Sequence, residues 1–223
     1  MAQISLGVTR ICVVRHGETT WNQARRLQGH FDIPLNPKGL EQAHAVGRYL
    51  ANEHPEVTRI YSSDLKRAWE TASVIGQSVL VTPQSCPAFR ERAYGEFEGM
   101  THAEVQAQHP DLYWQIFEQR EELAAPPGGE SLRVFFDRIT NAFLDLAAGH
   151  MGESVVLVCH GGVLDAINRF VRRRLLNLPR DFEVPNAGVN WITFNPEHDF
   201  PWALEVWGDT RHLVSDTLDE LPG

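Results

Sequence analysis

Two short apolar runs, Ile11-Cys12-Val13-Val14 and Val155-Val156-Leu157-Val158-Cys159, constrain this chain more than any other feature, and each ends at a His-Gly pair. Neither run alternates apolar with polar residues. A strand of that kind belongs in a sheet covered on both faces, as parallel sheets are. Between the two runs the apolar residues switch to helical spacing. Leu40, Ala43, Val46, Gly47 and Leu50 predict one helix, with Asn36 as its cap and Pro37 at its first position. Leu65, Ala68, Trp69, Ala72 and Ile75 predict a second, fed by a strand over 58–63 and followed by a short strand from Val79 to Thr82. Strand and helix alternate, so the fold class is α/β with a mostly parallel central sheet.

The second half continues the pattern. Thr101 and Glu104 form a capping box for a helix ending near His109, and Pro126-Pro127-Gly128-Gly129 marks a loop. The stripe Leu132, Phe135, Phe136, Ile139, Phe143 and Leu146 predicts an amphipathic helix whose aromatics serve the core. A helix from Val163 to Arg173, closing strands at Val189 to Phe194 and Ala203 to Trp207, and a polar surface tail complete the chain. At 223 residues and 43% hydrophobic, with no repeat or linker, positions 1–223 are expected to form one domain. The opening Met-Ala-Gln-Ile has no signal pattern and no apolar run reaches membrane length, so a cytoplasmic protein without membrane contact is expected. Cys12, Cys86 and Cys159 share no close spacing and suggest neither a disulfide framework nor a zinc knuckle. A net charge of −9 argues against a nucleic-acid or anionic-membrane partner, so an anionic substrate needs a local basic pocket.

If the two His-Gly strands are neighbours, His16, His160 and Arg15 meet at one sheet edge, where α/β proteins commonly bind ligands. Gly17 and Gly161 suit close approach of backbone N–H groups to an anion such as phosphate. The competing reading is that each histidine satisfies backbone groups in its own turn. Cys159 adjoins His160, but successive strand residues face opposite ways, which makes it a core residue rather than a nucleophile. Ten histidines contain no His-Glu-x-x-His and no Cys-x-x-Cys partner, so no metal site is expected. Arg172, Arg173 and Arg174 read as a solvated helix end.

The series Arg15-His16-Gly17-Glu18-Thr19, Trp21-Asn22, Gln28-Gly29 and Asp32-Ile33-Pro34-Leu35 resembles the opening signature of the histidine phosphatase superfamily, the phosphoglycerate mutase-like family. Ser62-Ser63-Asp64-Leu65-Lys66-Arg67-Ala68 resembles its second arginine motif, and Arg90-Glu91 with Gly95 and Glu98-Gly99 its acid motif. Gly128-Gly129-Glu130-Ser131 and Val158-Cys159-His160-Gly161-Gly162 complete the series, which Asn186-Ala187-Gly188 and 209–213 weakly extend. The resemblance implies a three-layer sandwich and a phosphohistidine formed on His16. It implies that Arg15, Arg67, His160 and Asn22, with Gly161, bind the phosphoryl group, and that Glu91 protonates the leaving oxygen and then activates water. It assigns Glu18 a structural part and puts Arg26, Gln28 and Gly29 at the pocket rim, although a solvated Arg26 is an equal reading. No cofactor is implied.

Phosphatases and mutases of the family share these residues. Its cofactor-dependent mutases carry a long insertion between acid motif and second His strand, whereas Gly99 to Gly128 is short here, which favours a phosphomonoesterase of the histidine acid phosphatase type. A phosphoglycerate mutase (an isomerase) is the alternative, and a non-catalytic phosphate-binding module the third reading. The expected partner is a small phosphorylated metabolite; a homodimer is left open. Tyr113, Trp114 and Phe117 are expected to pack rather than to form a lid.

Overall fold

Strand β1 (Thr9–Arg15) sends alternate residues into two different cores in a computed structural model that describes residues 7–213. Ile11 and Val13 join one cluster, Cys12 and Val14 the other, and all four side chains are fully buried. The remaining strands are β2 (Val57–Ser62), β3 (Gln84–Ser85), β4 (Ser154–Cys159), β5 (Val189–Phe194) and β6 (Trp202–Asp209), in the sheet order β3-β2-β4-β1-β5-β6. The pairings from β3 through β1 are parallel, and β5 and β6 are added antiparallel, so the sheet is mixed with a parallel centre.

After a single helical turn, α1 (Thr20–Gln23), longer helices cover both faces of the sheet. On one side α2 (Pro37–Glu53) and α3 (Lys66–Val79) contribute Val46, Leu50, Ala68, Ala72 and Ile75 to the cluster around Cys12 and Val156. On the other, α6 (Leu132–Gly149) and α7 (Gly161–Arg172) contribute Phe135, Ile139, Phe143, Val163 and Ile167 around Val13 and Leu157. This is the three-layer sandwich. Each fully buried branched side chain stabilises it by about 1.5–3 kcal/mol, which explains why an apolar run without alternation can occupy the sheet centre. Among the described residues, no helix is long and apolar enough to cross a membrane.

The local start signals hold. Asn36 accepts from Gly39 N at 2.7 Å with Pro37 at the first position of α2, and Thr101 forms a reciprocal capping box with Glu104 at the start of α4 (His102–Gln108). The strand expected over Val79 to Thr82 is not there. Helix α3 runs on through Val79, which packs against the core, and ends where Leu80 turns left-handed at φ 60°. The strand begins only at Gln84, beside Tyr61 of β2. Packing decided a β-branched segment that propensity alone would make a strand. The chain beyond 213, which holds most of the expected polar tail, lies outside the described residues.

The stretch between the acid motif and α6 carries α4, α5 (Pro110–Tyr113) and a π-helical turn at Trp114–Glu118. Phe97, Val105, Ile116 and Phe117 join Leu27 and Tyr94 in a small third core. Phe117 and Tyr113 pack there as expected, but Trp114 does not, being 57% exposed.

Candidate active site

The two apolar runs are adjacent parallel strands, with Arg15 beside Cys159 in the register. His16 N donates to Cys159 O at 2.9 Å, which carries the pairing to the first residue past the strand. His16 and His160 therefore face each other, ring centroids 5.2 Å apart. His16 Nδ1 lies 2.7 Å from Gly17 O. A carbonyl oxygen only accepts, so Nδ1 bears the proton and the lone pair sits on Nε2. Asn186 Nδ2 and Ala187 N both reach His16 O, at 3.0 and 3.3 Å, and fix the backbone of the turn.

Gly17 is small for a reason other than anion contact. A Cβ there would stand 2.3 Å from Gly39 O of α2, so the His16 turn is pressed against that helix. Gly17 N donates to Thr71 Oγ1 at 3.1 Å. Glu18, 1% exposed, accepts from Gln23 Nε2 (2.7 Å) and Asn36 Nδ2 (2.8 Å) and pairs with Lys38 at 3.5 Å, the structural part expected of it.

His160 is fully buried at the start of α7, with Nε2 2.8 Å from Ser63 Oγ. Its Nδ1 has no partner among the described residues. Ser63 lies within the second arginine motif, yet its contact with a histidine 97 positions away has no sequence signal. Both arginines are buried beside the imidazoles: Arg15 Nη1 donates to Val184 O at 2.7 Å, and Arg67 Nη1 and Nη2 donate to Phe31 O and Gly29 O at 2.9 Å each. Two buried guanidinium groups thus lie beside two imidazoles, a grouping of cations and ring nitrogens whose chemistry matches that of a phosphoryl group.

Glu91, 5% exposed, lies against the first turn of α7, the helix that His160 caps. Oε1 accepts from Arg92 N at 2.8 Å and Oε2 from Gly162 N, in the first turn of α7, at 3.0 Å. A Cβ on Gly162 would fall 2.3 Å from Oε1, so only glycine leaves the carboxylate room. His160 and Glu91 are thus both tied to the start of one helix.

The other named residues divide. Asn22 Oδ1 is used in the cap, accepting from Thr19 N at 3.0 Å and Thr19 Oγ1 at 2.9 Å. Gly29 presents its carbonyl to Arg67, and Gln28 is 9% exposed with Oε1 buried and without a partner among the described residues. Arg26, its side chain 37% exposed, donates from Nη1 to Gly99 O at 2.5 Å and pairs with Glu104 at 3.0 Å, which ties it to the loop after the acid motif. Gly161 opens α7 and is buried. Cys159 is core, as expected, and the arginine run is a largely exposed helix end, as expected, with Arg173 stacked over Phe200 at 4.1 Å and Arg174 paired with Asp181.

Burial, then the charges of Arg67 and Arg15, hold His16 well below the ordinary histidine pKa, against the opposing hydrogen bond to Gly17. Burial, Arg67 and His16 do the same for His160. Both imidazoles are neutral in the fold. The sign for stability follows: an unfolded chain would protonate both near pH 6.5 while the folded one resists, so stability is lost as pH falls through that value. Each histidine withdraws roughly 1 kcal/mol per pH unit, and Tm is expected to drop several degrees from pH 7 to pH 5. Thermal melts of His160→Gln against wild type check this: the variant should show a shallower slope over that range, and an equal slope refutes the account.

Paired strand ends, two buried arginines and a carboxylate held by a helix start are thus gathered on one α/β sandwich. The chain belongs to the histidine phosphatase superfamily (branch 1), whose model matches residues 11–210. It is 38% identical over 209 residues to the metal-independent phosphoserine phosphatase of Arabidopsis thaliana, covering 93% of this chain and 84% of that one. It is 37% identical over 207 residues to phosphoglycerate mutase-like protein 4 of the same plant, covering 91% and 86%. Among solved structures, phosphoserine phosphatase of Entamoeba histolytica in complex with 3-phosphoglyceric acid superposes with a TM-score of 0.81 at 26% identity, over 92% of this chain and 100% of that one.

Proposed function

We propose that this chain, as one domain, is a phosphomonoesterase of the histidine acid phosphatase type, acting on a small phosphorylated metabolite through a phosphohistidine on His16. The observation that carries the reading is the neutral imidazole whose Nδ1 proton is committed to Gly17, leaving the Nε2 lone pair beside two arginines. A nucleophile that stays neutral in acid suits an acid phosphatase.

In the first step Nε2 attacks phosphorus, the bond to the ester oxygen breaks, and Glu91 delivers its proton to that oxygen. Arg15, Arg67, His160 and Asn22, with the Gly161 backbone, hold the three phosphoryl oxygens and stabilise the charge that builds there. In the second step Glu91, now a carboxylate, takes a proton from water as the water oxygen bonds to phosphorus, and the P–N electron pair returns to Nε2. Neither step calls on a metal or cofactor, since the cationic residues carry the charge. The short stretch before α6 favours water over a second substrate as acceptor, and the free thiols of Cys12 and Cys86 suit a cytoplasmic setting.

Screening phosphorylated metabolites in EDTA and following inorganic phosphate tests the reading. Release that survives chelation is the expected result. Interconversion of 2- and 3-phosphoglycerate dependent on a bisphosphorylated primer, without release, would make the chain a mutase; phosphate binding without turnover would make it a binding module.

A further inference from the structure

Glu91 belongs to a loop, 88–94, with no regular secondary structure beyond the single helical turn Pro87–Phe89 at its entry. A carboxyl that must reach a leaving oxygen within hydrogen-bond range needs its backbone fixed, and one loop misplacement of about 1 Å can cost on the order of a hundredfold in rate. The side chain is held by two backbone N–H groups, but the backbone is held from elsewhere.

Arg138, in the second turn of α6, reaches across to three backbone carbonyls of this loop. Nη1 donates to Ala88 O at 2.7 Å and Arg90 O at 3.0 Å, and Nη2 donates to Glu91 O at 3.2 Å. Its guanidinium is aimed by Glu130, which receives Nε on Oε1 at 2.9 Å and Nη2 on Oε2 at 2.7 Å, a two-pronged pair. Glu130 grips the loop as well: Oε2 accepts from Ala93 N at 2.9 Å, Glu130 N donates to Ala93 O at 2.8 Å, and Glu130 O accepts from Arg92 Nε at 3.0 Å. Burial would raise the Glu130 carboxyl, but hydrogen bonds from Arg138 and Ala93 N and the Arg138 charge hold it below the ordinary value, so the pair is ionised. One acid and one base thus clamp every residue from 88 to 93 except Phe89, with Glu91 at the middle.

We propose that Glu130 and Arg138 are positioning residues that set the Glu91 carboxyl in register with His16, a role that rests on the reading of Glu91 as proton donor. Neither touches the phosphoryl site. Loosening the clamp should therefore impair proton delivery while leaving attack by His16 intact. The separation is visible in the ester used: departure of an alkoxide needs a proton, whereas 2,4-dinitrophenolate leaves without one. The parameter kcat/KM reports the steps through departure of that group.

The test compares Arg138→Lys and Glu130→Gln with wild type on an alkyl monophosphate and on 2,4-dinitrophenyl phosphate. The expected kcat/KM falls about tenfold to a hundredfold on the alkyl ester and less than about twofold on the dinitrophenyl ester. Equal losses on both esters, or no loss on either, overturn the proposal. Glu130→Gln is isosteric and keeps an oxygen for Ala93 N, so it decides the matter if Arg138→Lys does not fold. Glu91→Gln is run alongside: if it loses both esters equally, the reading of Glu91 fails, whereas if it discriminates and the pair variants do not, only the positioning role fails.

Discussion

Replacing His16 by alanine is expected to abolish phosphate release, with a loss of about 10³ to 10⁶ in kcat. The size follows from the division of labour at the strand ends. No other side chain in the site combines a lone pair held by a fixed tautomer with two buried arginines alongside; His160 offers its Nε2 to Ser63. Water entering the space left by alanine would meet the same arginines but without a nucleophile fixed in line. Phosphate binding should survive, because Arg15 and Arg67 are anchored by carbonyls of Val184, Phe31 and Gly29 rather than by His16. Release assays in EDTA, together with titration of inorganic phosphate, check both halves. Wild type quenched in alkali should carry an acid-labile phosphoryl group that His16→Ala lacks; turnover by the variant at a substantial rate sinks the mechanism.

Glu91→Gln is expected to cost about 10² to 10⁴ in kcat. Part of that is the missing proton. The rest is geometric: both carboxylate oxygens accept from backbone N–H groups, and an amide supplies only one oxygen, so its NH₂ must face Arg92 N or Gly162 N. A buried donor left unsatisfied in this way costs about 1–3 kcal/mol. Melting curves measure that stability loss, and it should not appear in the dependence on leaving group. A variant retaining more than about a tenth of wild-type kcat on alkyl esters would remove Glu91 from the chemistry.

What sequence could supply was whatever chain neighbours decide. Asn36, Pro37, Thr101 and Glu104 announce helix starts because a cap bonds to backbone three residues away. The unalternating runs at Ile11 and Val155 announce a doubly covered sheet, and their shared His-Gly endings placed His16 against His160. Contacts made only by folding stayed dark. Ser63 against His160, Val184 against Arg15, and Arg138 against the acid loop join residues 97, 169 and about fifty positions apart, with nothing in their local pattern to mark them. Gly17 looked like an anion-binding glycine, yet its neighbour is the backbone of α2. Val79 failed for the same reason: its branching favours a strand, but the core beneath α3 wanted one more apolar turn.

The small third core beneath Leu27, Tyr94, Phe97 and Ile116 is separate from the two that sandwich the sheet. It is fastened to the rest by a few polar ties, among them Arg120 to Asp165 and Leu176 O. Because Tyr94 follows the loop that carries Glu91, strain introduced in this core is delivered to the acid loop first, while β1 and β4, which carry His16 and His160, rest on the other two cores.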